Sequence, residues 1–138
     1  MNTNPIMLLH PHNARLSLHI VPEERVCYAY LREDRRVVAD VWLYNMFPSE
    51  APAEWTLPDA RSRLPFTNPS SYGRQDVNPI SDPNEVRVSW SENVATLYVR
   101  GALWAILATG DRPGRCAHAI KDGPLARVLD SRVAETRP

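Results

Sequence analysis

Residues 25–44 of this chain read RVCYAYLREDRRVVADVWLY: two apolar runs separated by a charged link. In the first run, 25–31, apolar side chains occupy both alternating faces, which is typical of a strand inside a sheet. The second run, 36–44, begins after Arg32-Glu33-Asp34-Arg35. A polar link of about four residues is long enough for an antiparallel pair. The stretch predicts a β-hairpin, and with it a fold organised around antiparallel sheet.

The segments on either side carry the same period of two. Residues 15–21 alternate apolar and polar side chains, as a half-buried strand does. Residues 85–90, 94–99 and 102–109 predict a three-stranded meander, in which Arg100-Gly101 makes a tight turn because glycine accepts positive φ.

Near the C-terminus the period changes. Asp122-Gly123-Pro124 has the composition of a helix start, with a capping residue followed by proline near the first turn. The apolar residues that follow are spaced as one helical stripe; they are Leu125, Val128, Leu129 and Val133. The sequence thus predicts an α+β, mainly β fold: one antiparallel sheet of about 5–6 strands, hairpin plus meander, with a short C-terminal helix. We expect a single domain, 1–138, with flexible ends at 1–13 and 134–138.

A long proline-rich excursion, residues 46–84, separates the hairpin from the meander. It holds seven of the chain's thirteen prolines, which exclude a helix or a central strand. Large apolar side chains interrupt it, so we interpret it as ordered and shaped for binding. Aromatic and arginine side chains are enriched in interface hot spots, and we predict that six here bind a partner: Trp55, Arg61, Arg63, Phe66, Tyr72 and Arg74.

Composition narrows the class of function. Sixteen basic residues balance sixteen acidic ones, so the chain lacks the positive excess with which proteins bind nucleic acid non-specifically. No apolar run approaches the ~20 residues that cross a bilayer, and the N-terminus does not resemble a secretory signal. We expect a cytoplasmic protein that binds no nucleic acid and no membrane, with Cys27 and Cys116 as reduced, buried thiols.

Three groups could carry chemistry. His10-Pro11-His12 has the spacing of a two-histidine metal site, but no further ligands follow at metal-binding spacing. Cys116-Ala117-His118 could pair a thiol with a base, the alternative being a buried cysteine beside a hydrogen-bonded histidine. Asp40, among apolar strand residues, is a paired buried carboxylate or a catalytic acid. We favour the structural interpretation of each group and expect no enzyme activity, no metal and no cofactor.

Three further stretches are similar to a known class of protein. They are Val41-Trp42-Leu43-Tyr44-Asn45 with the prolines after it, Leu64-Pro65-Phe66-Thr67-Asn68-Pro69, and Gly110-Asp111-Arg112-Pro113-Gly114 leading to Lys121-Asp122-Gly123-Pro124-Leu125-Ala126. Together they resemble small bacterial immunity proteins encoded beside secreted toxins of the type VI secretion and polymorphic kinds. The resemblance runs from about residue 25 to 130 and rests on turn and loop signatures.

The resemblance implies a function without chemistry of its own. An immunity protein binds its cognate toxin in the cytoplasm and covers the toxin's active site, which needs a rigid scaffold and complementary charge. Two alternatives stay open: a structural or adaptor domain of a secretion or phage-like particle, and a small ligand-binding β-domain.

Overall fold

A computed structural model describes residues 4–22, 26–45, 77–119, 122–123 and 125–129. Within them the chain forms two sheets and one 3₁₀ turn, Pro83–Glu85. The first sheet has the order β1-β2-β3-β4 and consists of β1 (Ile6–Leu9), β2 (Leu16–Pro22), β3 (Val26–Glu33) and β4 (Arg36–Asn45). The second has the order β5-β6-β7-β8-β9 and consists of β5 (Val86–Ser91), β6 (Val94–Val99), β7 (Ala102–Ala108), β8 (Arg115–Cys116) and β9 (Arg127–Val128).

The predicted hairpin and meander are confirmed, but the hairpin link is shorter than expected, because β3 continues through Glu33 and leaves Asp34 and Arg35 as the turn. β3 and β4 form the hairpin, and β5, β6 and β7 form the meander, all antiparallel. Arg100 and Gly101 both have positive φ, at 49° and 79°, which is the turn geometry that joins two strands through two residues.

One core lies between the two sheets. The side chains of Leu18, Leu31 and Val41 point from the first sheet into it, and those of Leu97 and Leu107 enter from the second; all five are fully buried. Because successive side chains in a strand alternate, the other face of the first sheet carries a different set of residues.

The two sheets are joined along β4, whose free edge is covered by the chain that links β7 to β9. The Asp40 N–H donates to Asp111 O (3.1 Å), and its carbonyl accepts from the Gly114 N–H (2.7 Å). Further along, the Trp42 N–H donates to Leu125 O (2.9 Å). These bonds satisfy edge groups that would otherwise be left to water or to another strand.

Extra residues in the strands accept further hydrogen bonds, two at this junction and one inside the second sheet. The β3–β4 register skips Val38 and Leu43, and the β6–β7 register skips Trp104, as β-bulges do. A bulged residue is left out of the ladder, and here each of the three carbonyls accepts a bond from residues 110–118. The donors are the Gly110 N–H to Val38, the His118 Nδ1 to Leu43 and the Ala117 N–H to Trp104, at 2.7, 2.9 and 2.9 Å.

Three expectations about the fold are wrong. The strands form two sheets, of four and five strands, rather than one sheet of 5–6. Residues 6–9, inside the stretch expected to be irregular, form β1 and pair with β2. The third error is the helix.

The predicted C-terminal helix is absent from the part of the chain that the structure describes. Residues 127–128 are β9, parallel to β8. The Arg127 and Leu129 N–H groups donate to Gly114 O and Cys116 O, and the Asp122 carboxylate caps the Val128 N–H. Leu125 and Leu129 are buried, so an extended segment buries the apolar residues that were interpreted as a helical stripe.

Candidate functional site

The most site-like surface of the described residues lies on the first sheet, on the face that points away from the second sheet. Cross-strand register places Ser17 opposite Arg32 and His19 opposite Tyr30. Opposite residues of an antiparallel pair share a face with Cβ atoms about 5 Å apart. We call these four residues the His19 face.

Strand β1 borders the His19 face with apolar side chains. Met7 lies opposite His19, and Leu9 lies opposite Ser17. Their exposed fractions are 60% and 63%, and they are the large hydrophobic side chains found exposed among the described residues. Scattered exposed apolar residues are ordinary on protein surfaces, but these two are neighbours on one strand and adjoin polar side chains suited to recognition.

Electrostatics keep His19 uncharged at neutral pH. Partial burial lowers its pKa below 6.5, and the positive charge of Arg32 lowers it further. The Ser17 Oγ and His19 Nε2 atoms are 2.8 Å apart and share a hydrogen bond. The neutral ring therefore adds no second positive charge to this face. It presents an apolar ring with two polar nitrogen atoms.

Arg32 is the charge of this face. No described carboxylate pairs with its guanidinium, and its Nε is buried without a hydrogen-bond acceptor among the described residues. Arginine has a planar fork of donors that matches a carboxylate. An acidic group is therefore the chemical complement of the Arg32 guanidinium.

The geometry of the His19 face suits binding better than reaction. A serine hydrogen-bonded to a neutral histidine resembles a nucleophile and its base. Acyl transfer also needs free N–H donors to hold an oxyanion. β2 lies between β1 and β3, and the neighbouring ladders use the backbone N–H groups around Ser17 and His19.

Asp40 lies in a structural contact. Its side chain is 4% exposed and accepts a hydrogen bond from Arg112 Nε at 3.2 Å. The backbone of the same residue bonds the loop 110–114, as described above. Asp40 thus ties β4 to that loop through both its side chain and its backbone.

Cys116 and His118 come together, but not as a thiol and its base. Cys116 is fully buried, and burial raises the pKa of its thiol to about 12. Its Sγ donates to the Leu43 carbonyl (3.5 Å), and the His118 Nδ1 donates to the same oxygen at 2.9 Å. The His118 ring also contacts the edge of Trp104, with centroids 4.6 Å apart. Both side chains therefore donate hydrogen bonds to the carbonyl group of the bulged residue Leu43.

Both ring nitrogens of His10 are engaged in hydrogen bonds. Its Nδ1 accepts from the His12 N–H (3.0 Å), so its Nε2 carries the proton and donates to Glu92 O at 2.8 Å. Its ring packs against Trp90, with centroids 4.8 Å apart. Among the residues that the structure describes, no three histidine, cysteine or acidic side chains are grouped as a metal site.

The six residues predicted to bind a partner lie outside the described residues: Trp55, Arg61, Arg63, Phe66, Tyr72 and Arg74. They stay predictions. The His19 face was missed from the sequence because its members come from strands whose register had to be known first. The alternation in residues 15–21 was visible, but it does not say which residues of the next strand lie opposite.

Comparisons with protein-family models, with curated proteins and with solved structures find no match to this chain. In the described residues, no helix is long and apolar enough to span a bilayer.

Proposed function

We propose that this chain is an immunity protein that binds a cognate bacterial toxin through the His19 face and covers the toxin's active site. The observation that carries the proposal is the exposure of Met7 and Leu9 on β1, on the same sheet face as Arg32 of β3, a cation with no described carboxylate partner. The toxin as partner is inferred from the sequence resemblance. The surface as the place of contact is inferred from the geometry.

The apolar part of this surface supplies affinity. Fully burying a side chain of the size of Met7 or Leu9 is worth roughly 1.5–3 kcal/mol. The cost of association is about 4–15 kcal/mol, so these two side chains need further contacts. Tyr30 and His19 beside them, and residues elsewhere in the interface, would supply them.

The polar part supplies selectivity. A carboxylate of the toxin that meets Arg32 forms charge-assisted hydrogen bonds with the guanidinium. Leaving Arg32 buried against a partner without an acceptor would instead cost the desolvation of a charge. The proposal therefore expects a toxin with an acidic group at the edge of the surface that is covered.

The side chains that could act in catalysis also support the proposal, because their contacts are structural. Asp40, Cys116, His118 and His10 all make contacts that hold the fold together. These contacts assign a structural role to each of the four residues, and the proposal places the partner on the His19 face instead.

Co-expression with the product of the adjacent gene tests the proposal. We expect a stable complex and rescue of growth. Arg32→Gln should weaken the measured affinity by at least tenfold, because a charge-assisted contact is lost. The matched control is Arg87→Gln, which removes an exposed cation from the second sheet and should change affinity by less than threefold.

Two results contradict the proposal. One is a toxic neighbour that this protein neither binds nor neutralises. The other is an equal effect of Arg32→Gln and Arg87→Gln on binding, with both variants showing the wild-type thermal transition.

A further inference from the structure

The free edges of the two sheets differ in how they are protected. Exposed strand edges invite pairing with another chain, and proteins block them with short strands, charge or a covering loop. The edge of β4 is covered by residues 110–114. β9 has two residues, and β5 presents Arg87, Ser89 and Ser91 as its exposed side chains.

β1 has none of these protections among the described residues. Its sequence, Ile6-Met7-Leu8-Leu9, is uncharged, and two of its four side chains are well exposed. It is the edge strand of the first sheet.

The hydrogen-bond pattern shows which groups of β1 face outward. The His10 N–H donates to Leu16 O, so these two residues form a bonded pair at the end of the β1–β2 ladder. Bonded pairs alternate along an antiparallel ladder, which makes Leu8–Leu18 and Ile6–Ile20 the next ones. Met7 and Leu9 therefore direct their N–H and C=O groups away from β2.

We propose that β1 pairs with β1 of a second copy of this chain, antiparallel and centred on Leu8. In this register Met7 of each copy lies opposite Leu9 of the other, and the two pairs exchange four backbone hydrogen bonds. The four exposed apolar side chains then cover one another on the same face. The dimer axis passes beside Leu8, which lies opposite its own copy.

Charge and proline positions favour a second copy in this register. No ionisable group lies in β1, so two copies bring no like charges together, and the net charge of zero adds no long-range repulsion. Pro5 and Pro11 lie three residues before and after Leu8. Neither has an N–H to donate, so the pairing ends on both sides and is symmetric about Leu8.

The dimer joins two first sheets into one of eight strands, four from each copy. Met7 and Leu9 of both copies then lie between two His19 faces. Met7 and Leu9 also belong to the proposed toxin contact, so a second copy and a toxin would compete for these two side chains.

Sedimentation velocity over a range of protein concentrations tests the pairing. We expect a monomer–dimer equilibrium. Met7→Pro removes an outward N–H without touching the bonds of Leu8 to β2, and Leu9→Lys brings two cations to the interface; each should weaken dimerisation at least tenfold. Ser89→Lys, at an exposed position of edge strand β5, should leave it unchanged.

A cross-link tests the register. Leu8 lies opposite its own copy in a non-bonded pair with Cα atoms about 4.5 Å apart, which is within the range that a disulfide spans. Leu8→Cys should therefore give a covalent dimer on mild oxidation, and Ser89→Cys should not. The native thiols are both buried and do not compete.

The inference is overturned if the wild-type protein stays monomeric at millimolar concentration. It is also overturned if a dimer forms with the same affinity in Met7→Pro and Leu9→Lys, since its contact must then lie elsewhere. The proposed function fails separately, if the wild-type protein does not bind a toxic neighbour or if Arg32→Gln and Arg87→Gln change binding equally.

Discussion

Replacing Gly114 with alanine tests how tightly the two sheets are joined. A Cβ at this position would lie 2.7 Å from the Ile106 carbonyl oxygen, 3.3 Å from Leu107 Cγ and 3.5 Å from Val41 Cβ. Ordinary contact begins at 3.4 Å, so the first of these needs relief of 3.4 − 2.7 = 0.7 Å. Ile106 belongs to β7 and is paired on both sides, so its carbonyl cannot move aside alone.

The expected loss of stability depends on the loop around Gly114, which must shift because Ile106 cannot. The Gly114 N–H and C=O bond Asp40 and Arg127 at 2.7 and 2.9 Å, and a shift of the loop weakens both bonds. Overpacking costs about 1–3 kcal/mol, and each weakened bond costs up to about 1 kcal/mol. Reduced freedom of the unfolded chain returns about 0.4–1 kcal/mol. We expect Gly114→Ala to lower the free energy of unfolding by about 2–4 kcal/mol.

Urea denaturation followed by tryptophan fluorescence measures this change. The matched control is Gly101→Ala, where a Cβ meets nothing within 4 Å and the penalty comes from φ of +79°. A left-handed alanine costs about 1–2 kcal/mol. If Gly114→Ala destabilises the protein less than Gly101→Ala does, the close contact between residue 114 and β7 is wrong.

Three further predictions concern ionisable groups. The pKa of His19 is lowered, so its contribution to stability is complete above pH 6.5 and is lost as the pH drops through its folded-state pKa. His19→Gln should therefore flatten the pH dependence of the unfolding free energy, measured in urea between pH 7 and 5. An unchanged pH dependence contradicts this. Hydrogen bonds from the Ser81 backbone and from Arg100 lower the pKa of Glu85 to about 2. The contribution of Glu85 to stability is therefore present above pH 4.5 and is lost on acidification towards pH 2. A Glu85 carboxyl resonance that titrates near 4.5 by NMR would refute this prediction. Burial raises the pKa of Cys116 to about 12, and Cys27 is buried too. Neither thiol should react with Ellman's reagent at pH 8 until the protein unfolds. Rapid labelling of the native protein would show an accessible thiol and contradict this prediction.

Short-range patterns in the sequence were sufficient for the β3–β4 hairpin and for the meander of β5, β6 and β7. Residues 25–44 predicted the β3–β4 hairpin, and Arg100-Gly101 predicted the turn between β6 and β7. In such hairpins the alternation of side chains and the chemistry of the turn act over a few residues, and both are visible in one sequence.

Long-range pairing was beyond these patterns. β8 and β9 have two residues each and pair in parallel, so their period is too short to detect. The spacing of Leu125, Val128 and Leu129 fits a helical stripe as well as it fits an extended segment. The backbone hydrogen bonds of Arg127 and Leu129 to residues 114 and 116 stabilise the extended segment. The two-sheet arrangement depends on where the loop after β7 bonds β4, which no local pattern encodes.

The candidate site was hidden for the same reason. His19 was visible as a polar residue at a strand position, whereas Arg32 was assigned to the link between the two strands; their proximity follows from the β2–β3 register. The exposure of Met7 and Leu9 follows from the position of β1 at the sheet edge. Asp40, in contrast, was correctly interpreted as a paired carboxylate, because an acid within an apolar strand needs a partner wherever the strand lies.

Hydrogen–deuterium exchange of this protein, alone and with the product of the adjacent gene, tests the central claim most directly. Contact through the His19 face predicts that the complex slows exchange in residues 6–21 and 28–33, with no change in residues 86–91 of the opposite sheet edge. Slower exchange confined to segments outside 6–33 would contradict the account and place the toxin on another surface.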